Sequence, residues 1–423
     1  MAEQECLGES LAIPNRLNHP VFNDRQKRKN RPGEFLSADC RGVSHSLWCS
    51  KFRSKIVLSY LESNSGKKLL QMTRILHVVG ARPNFVKAAP VLRAVKRRGI
   101  RQTLVHTGQH YDRNMSDIFF TQLEIPEPDV NLEVGSGSHA AQTAEIMRRF
   151  EPVVLEHKPD IVLVYGDVNS TVAAALVCSK LLIRVAHVEA GLRSFDRSMP
   201  EEINRIVTDR LSDLLFTPSD DADANLLREG VAQGHIYCVG NVMIDSLIQL
   251  LPEAMECPAN GLPERLALLT LHRPSNVDDS QNLQKILDSL SQVSEQLDIV
   301  FPVHPRTRHR INELGIRVGK LHLLDPLPYI EFLALQARAT VVITDSGGIQ
   351  EETTYLGVPC LTIRENTERP ITVTLGTNTL VGGDPNMLVR ALNNILAGKG
   401  KKGVIPPLWD GHAGERIADI LSR

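Results

Sequence analysis

From Arg74 onward the chain repeats one unit: a short run of Val, Ile and Leu that ends in glycine, serine or an acidic residue, followed by a helical stretch. "RILHVVG", "QTLVHTG", "IVLVYGD", "RVAHVEAG" and "LLFTPS" are such runs, and "FVKAAPVLRAVKRRG" and "TVAAALVCSKLL" are helical segments between them. A strand that is apolar at nearly every position needs cover on both faces, which parallel strands joined by helical crossovers obtain. A second series, "LALLTLHRPSN", "LDIVFPVHPRT", "LHLLDPL", "TVVITDSGG" and "PCLTIRENTERP", starts after Leu251–Glu264, whose three prolines and one glycine read as a linker. The expectation is an α/β chain of two Rossmann-like, doubly wound domains with a cleft between them. The domains are placed at residues 72–245 and 264–405, with a linker region at 246–263 and a C-terminal helix at 406–423 that can pack back on either half, the first domain included.

The first 71 residues differ in kind. They lack an apolar period, contain "NDRQKRKNRPG" and carry twelve Lys/Arg against seven Asp/Glu, so they are expected to be disordered, with a basic arm for nucleic acid as the weaker reading. Because "MTRILHVVG" begins a strand at once, Met72 is an alternative start of translation. Over the whole chain a net charge of −1 offers no broad basic field, which argues against a nucleic-acid partner. Seven scattered cysteines without CxxC pairs read as reduced thiols in the cytoplasm. No apolar run approaches the ~20 residues of a membrane span, and the acidic opening "MAEQECLGES" lacks the pattern of a signal peptide.

Ligands of open α/β sheets bind beyond the carboxyl ends of the strands. In the first series those ends carry Arg82, Lys87, Gln109, His110, Asp167, Glu189, Arg193, Glu201, Glu202 and Arg205; in the second they carry His272, Arg273, His304, Arg306, Ser346, Gly347, Gly348, Glu352 and Arg369. "TDSGGIQEE" combines two chemistries. Glycines at a helix start let backbone N–H groups approach a phosphate, while Glu352, roughly a turn and a half further on, can accept from vicinal hydroxyls. A nucleotide has both an anion and a ribose diol, which reconciles acid with anion site. Arg82, Lys87, His272 and Arg369 would complete a diphosphate cradle. Asp167 and Glu189 each end an apolar run, where charge is expensive unless paired or functional. Glu201 follows a proline suited to a first helical turn and forms an i, i+4 pair with Arg205 that can simply support the helix. His106 and His110 are four apart but at a strand end, and no HExxH or DxD occurs, so no metal site is expected.

In order and spacing, "GARPNFVK", "GDVNST", "HVEAGLRS", "MPEEINR", "TDSGGIQEE" and "NTERP" resemble the non-hydrolysing UDP-N-acetylglucosamine 2-epimerases, from about Arg74 to the C-terminus. The resemblance implies a glycosyltransferase-B-like fold, a homodimer and no redox cofactor. It also implies interconversion of UDP-GlcNAc and UDP-ManNAc by anti elimination of UDP and re-addition to a 2-acetamidoglucal, serving surface polysaccharide. Asp167, Glu189 and Glu201 are marked by it as an acid/base set without division of roles, and His272 as the group near the leaving diphosphate. Arg82, Lys87, His110, Arg205, Ser346, Gly347, Gly348, Glu352 and Arg369 are assigned to the UDP-sugar, and Leu327 and Phe332 fall where the uracil is contacted. Allosteric control by UDP-GlcNAc occurs in some members, and Gln109 is a position that could take part. Many members have "GTRPE" and "GHRRE" where this chain has "GARPN" and "LHRPSN"; "GARP" and "HPRT" also resemble the branch acting on UDP-2,3-diacetamido-glucuronate. A transferase of the same fold and a non-catalytic sugar-nucleotide sensor are the other function classes.

Overall fold

A computed structural model describes residues 73–109, 119–258 and 261–423, within one compact unit spanning Leu70–Arg423. The extension at 1–71 and His110 lie outside the described residues, as does the side chain of Arg306.

The first series forms strands β1 (Arg74–Val79), β2 (Arg101–His106), β3 (Val130–Asn131), β4 (Ile161–Tyr165), β5 (Arg184–Val188), β6 (Leu214–Thr217) and β7 (Ile236–Cys238). Between and after them run helices α1 (Arg82–Arg97), α2 (His139–His157), α3 (Asn169–Lys180), α4 (Pro200–Leu211), α5 (Asp220–Arg228) and α6 (Val242–Glu256). The strands lie in the order β3-β2-β1-β4-β5-β6-β7 and pair in parallel throughout. The second series gives β8 (Leu266–Thr270), β9 (Asp298–Pro302), β10 (His322–Leu324), β11 (Val341–Thr344), β12 (Cys360–Thr362) and β13 (Asn378–Leu380). Its helices are α7 (Pro274–Val277), α8 (Ser280–Val293), α9 (Pro305–Glu313), α10 (Tyr329–Arg338), α11 (Gly347–Leu356), α12 (Pro370–Thr374), α13 (Pro385–Leu396) and α14 (Ala413–Leu421). The order β10-β9-β8-β11-β12-β13, again parallel, repeats that of the first sheet. Each sheet thus reverses its winding at one point, between β1 and β4 and between β8 and β11, and such points open a crevice at the strand ends.

Both faces of each sheet are buried, which explains the unbroken apolar runs. Ile75, Leu163 and Ala186 face a core shared with α1, α6 and α14, and Leu76, Val162 and Val185 face α2 and α3. Within α1, Pro90 lacks the N–H that would bond the carbonyl of Val86. The Ser246 hydroxyl of α6 donates to that carbonyl at 2.6 Å, so the break in the ladder becomes a joint between two helices.

The linker is shorter than its prolines imply. Helix α6 continues to Glu256 with Pro252 inside it, because Leu247, Leu250 and Ala254 recur on one buried face; irregular chain begins only at Cys257.

After β13 and α13 the chain returns to the first sheet. Trp409, 2% exposed, donates its indole N–H to the carbonyl of Pro218 at 3.0 Å and joins the core of α1 and α6. The Asp245 carboxylate on α6 accepts the N–H groups of Ala413 and Gly414 at 3.2 and 2.7 Å, capping α14 from a neighbouring helix. Gly414 is needed for close packing, since a Cβ there would sit 2.8 Å from the carbonyl oxygen of Pro90.

Trp409→Ala is therefore expected to cost about 3–5 kcal/mol, the range for removing a buried aromatic side chain. Urea unfolding should show a lower midpoint at unchanged slope; a loss below about 1 kcal/mol would show that this tail does not hold the first sheet's core together.

Candidate functional site

The ends of β1, β4, β8 and β11 open onto one cavity of about 370 Å³. Its lining includes Arg82, Lys87, Asp167 and Glu201 from the first series, and His272, Arg273, Phe332, Ser346, Gly347, Gly348, Glu352, Glu368 and Arg369 from the second.

On the side of the first sheet, Asn84 organises the turn after β1. Its side-chain oxygen accepts from the N–H groups of Gly80 and Ala81 at 3.0 and 3.1 Å, and its amide nitrogen donates to the carbonyl of Tyr165 at 2.8 Å. The turn is thereby tied to the end of β4. Arg82 extends from it over the Phe119 ring, 5.8 Å from the centroid. Asp167, just beyond β4, pairs with Arg205 at 2.5 Å, and Arg205 also pairs with Glu202 at 2.6 Å. The expected i, i+4 partner Glu201 is not the one found. Arg205 turns inward to Glu202 at i−3 and to Asp167, both closer to the buried side of α4, while Glu201 stands at the cavity wall. Burial alone would raise the Asp167 carboxyl, but Arg205, Lys87 and Arg369 hold it below the ordinary range.

Glu189 departs from the remaining carboxylates in two ways. Its φ of +73° is left-handed, an uncommon conformation for a side-chain-bearing residue, and the N–H groups of Glu189 and Ala190 both donate to the carbonyl of Phe216 at 3.0 Å to hold it there. Its carboxylate lies behind the cavity wall, gripped by Lys87 and, at 2.6 Å, by Arg369.

Arg369 is the centre of that wall. Nη2 reaches Glu189, Nε reaches Glu351 at 2.9 Å, and Nη1 pairs with Glu368, which also binds Arg364 at 2.7 Å. Burial would raise the Glu368 carboxyl, yet Arg369 and Arg364 keep it far below the usual range. Burial wins at Glu351, whose carboxyl is raised in spite of Arg369, with the charge of Glu189 adding to the rise. Arg369 lines the cavity but spends all three guanidinium nitrogens on carboxylates.

The other wall is the start of α11. Ser346 is its N-cap, and Gly347 and Gly348 form its first turn, where N–H groups have no partner within the helix. A Cβ on Gly347 would lie 2.3 Å from Nη1 of Arg369, and one on Gly348 would lie 2.8 Å from Cε of Met243, so this helix start reaches the wall only without side chains. Glu352, one turn further, is buried but borders the cavity: the Tyr329 hydroxyl donates to it at 2.7 Å and the Gln336 amide at 3.2 Å. Burial raises its carboxyl. His272 stands at the end of β8 with Nδ1 2.8 Å from Asp345, and its ring centroid is 6.5 Å from that of His304.

Several strand-end groups take no part in the cavity. Arg193 is buried against Asp209 and Glu229, at 2.7 Å each. The side-chain oxygen of Gln109 accepts from the hydroxyl and N–H of Ser170 at 2.7 and 3.0 Å, joining β2 to α3. Glu351, Glu368, Asp345 and Tyr329 escaped sequence reasoning, although "NTERP" and "TDSGGIQEE" contain three of them. Among the described residues one acid and thiol cluster, Asp220, Asp223 and Cys238, has metal-like spacing. None of its members lines this cavity, and its aspartates complement the start of α5.

Residues 93–422 match the family described as UDP-N-acetylglucosamine 2-epimerase. The UDP-N-acetylglucosamine 2-epimerase of Methanocaldococcus jannaschii is 44% identical over 359 residues, covering 82% of this chain and 98% of that protein. The UDP-2,3-diacetamido-2,3-dideoxy-D-glucuronate 2-epimerase of Pseudomonas aeruginosa is 43% identical over 354 residues, 83% of this chain and 99% of its own. A crystal structure of the Methanocaldococcus jannaschii UDP-GlcNAc 2-epimerase in complex with UDP-GlcNAc and UDP matches with a TM-score of 0.78 and 43% identity, over 83% of this chain and 99% of that one. With two doubly wound sheets meeting at this cavity and similarity along almost the whole length of these relatives, the chain belongs to the UDP-N-acetylglucosamine 2-epimerase family.

Proposed function

We propose that the protein interconverts UDP-GlcNAc and UDP-ManNAc without hydrolysis. The observation that carries this reading is the joint presence, on one cavity, of an open helix start at Ser346–Gly348 and of Asp167 and Glu201. The N–H groups of α11 suit the diphosphate, and Glu352, held by Tyr329, suits the hydroxyls of the ribose.

The reaction needs this pairing of anion site and carboxylates. Carbon 2 has no adjacent carbonyl, so its proton cannot leave to an enolate. If the C1–O bond to UDP breaks as a carboxylate takes the C2 proton, the C2–H electron pair becomes the C1=C2 double bond of a 2-acetamidoglucal. Return of a proton to the opposite face of C2 and attack of the UDP oxygen on C1 close the cycle. Asp167, kept ionised by its cations, fits a proton acceptor, and Glu201 at the wall fits a second group for the other face. Glu189 acts through Lys87 and Arg369 on this reading, setting the charge beside the ring. Action in the cytoplasm as a homodimer belongs to the same proposal; the four described cysteines are free thiols. No helix among the described residues is long and apolar enough to cross a membrane.

A second substrate is favoured by one finding, the near-equal identity to the diacetamido-glucuronate epimerase. NMR of each UDP-sugar with enzyme in D2O separates the cases. Deuterium at C2 together with the 2-epimer identifies reaction and substrate, free ManNAc with UDP would indicate hydrolysis, and absence of any product without an acceptor would point to a transferase. Asp167→Asn is expected to lower turnover by about a hundredfold or more, the scale of a lost acid/base group; near-normal turnover would remove Asp167 from the chemistry.

Arg369→Ala is expected to act on the fold more than on substrate affinity. It leaves Glu189, Glu351 and Glu368 buried without their shared cation, a cost of about 3–5 kcal/mol near neutral pH. Without Arg369, burial raises Glu351 further and lifts Glu368, so the folded state binds more protons and the deficit should shrink as pH falls. Denaturant curves of both proteins at about pH 8 and about pH 6 test this. A deficit that is absent, or that grows on acidification, would show that Arg369 does not neutralise these acids.

A further inference from the structure

We infer that Asp345 is a positioning residue that fixes the His272 ring with its proton on Nδ1, so that Nε2 is the nitrogen presented to the substrate's diphosphate. The inference rests on the epimerase reading for the identity of the ligand; the geometry of the pair does not.

Asp345 lies in the turn between β11 and α11 and is completely buried. A buried carboxylate is costly unless donors satisfy it. Here Oδ2 accepts from the N–H of Arg273 at 3.0 Å, the side-chain amide of Asn276 at 3.0 Å and the N–H of His272 at 3.1 Å. Oδ1 lies 2.8 Å from Nδ1 of His272. Burial would raise the Asp345 carboxyl, but His272 and these donors hold it below the ordinary range, so it is an anion and can only accept. Nδ1 must then carry hydrogen whether the ring is neutral or charged, and Nε2, across the ring, is the position that gains or loses a proton. Near the ring stand His304, Arg273 and, beyond Arg273 at 3.9 Å, Glu368, with Glu201 also acting on Arg273. Arg273 is itself tied down, donating from Nε to the carbonyl of Asp345 at 2.9 Å. His272 is about half-exposed, with a side-chain exposure of 46%, and lines the cavity beside Ser346.

The substitution Asp345→Asn separates positioning from mere structural support. The backbone N–H of Arg273 and the side-chain amide of Asn276, itself anchored by donating to the carbonyl of Ile363 at 3.1 Å, claim the amide oxygen, so the amide NH2 must face Nδ1. Nδ1 is forced to accept, and the single proton of the neutral ring moves to Nε2. Shape, burial and most hydrogen bonds survive, while the protonation of the ring is inverted.

The experiment measures 15N signals of the His272 ring in the full-length protein, together with kcat and KM for UDP-GlcNAc in wild type, Asp345→Asn, His272→Gln and the double variant. Wild type should show hydrogen on Nδ1, and Asp345→Asn should show it on Nε2. Turnover in Asp345→Asn should fall about a hundredfold with KM within a fewfold, and the double variant should be no slower than His272→Gln, because Asp345 acts only through the ring. A neutral wild-type ring with hydrogen on Nε2 overturns the inference, and so do losses that simply add in the double variant. The wild-type signal suffices should Asp345→Asn fail to fold. If wild type shows Nδ1–H yet epimerises no UDP-sugar, the functional reading fails and the positioning of the ring stands.

Discussion

The structure turns on one buried guanidinium. Arg369 reaches across from the second sheet to Glu189 at the end of β5 and holds Glu351 and Glu368 on its own side. Three carboxylates this close would repel one another strongly in a medium of low dielectric, and only a cation among them lets all three stay dry. Because Glu189 and Arg369 belong to different sheets, the same contact that neutralises the wall also sets the distance between the two halves of the cavity. Lys87, on the opposite side of Glu189, extends the alternation of charge to the first turn after β1. Backbone geometry conforms to it: Glu189 accepts a left-handed φ, and Gly347 gives up its side chain so that the guanidinium can lie against the helix start.

The repetition of one strand order makes this contact possible. A parallel, doubly wound sheet delivers its loops to one edge, and the reversal of winding between β1 and β4, and again between β8 and β11, leaves a crevice there. When two such edges face each other the crevices merge into one cavity. The long return of the chain through Trp409 to α1 and α6 fastens the second series to the core of the first. Fold and site are therefore linked through α6, whose Met243 meets Gly348 in the wall and whose Asp245 caps α14.

Much of this was legible in the chain. Unbroken Val/Ile/Leu runs ending in polar clusters can hardly satisfy anything except a covered parallel sheet, and the clusters mark the strand ends. The end of α6 was less legible, because Pro252 looks like a breaker while the buried face of Leu247, Leu250 and Ala254 continues past it. Residue partners were the least legible. Arg205 has carboxylates at both i−3 and i−4, and local spacing cannot choose between them; Asp167, thirty-eight positions away, makes the choice. Glu351 and Glu352 are neighbours in sequence but point about 100° apart around the helix. One faces Arg369 and the other Tyr329, a division that depends on what α10 and α12 bring to each side.

Charge balance gives the cavity its chemical character. Lys87, Arg205, Arg364 and Arg369 are each already opposed by carboxylates, so a diphosphate entering this space finds little unspent positive charge on them. The N–H groups at the start of α11 have no partner within their helix and so suit the first contact with the anion. The two negative charges of a nucleoside diphosphate then act on a wall rich in buried carboxyls, of which Glu351 and Glu352 are already raised by burial. Added negative charge raises them further, and so does the loss of water as the cavity fills. On the proposed reading the substrate's own phosphates thus favour the protonated form of these two carboxyls, which lessens the negative charge that the wall sets against the anion. Protonation of this kind lets acids stand beside an anion site, where simple electrostatic complementarity would have placed only cations.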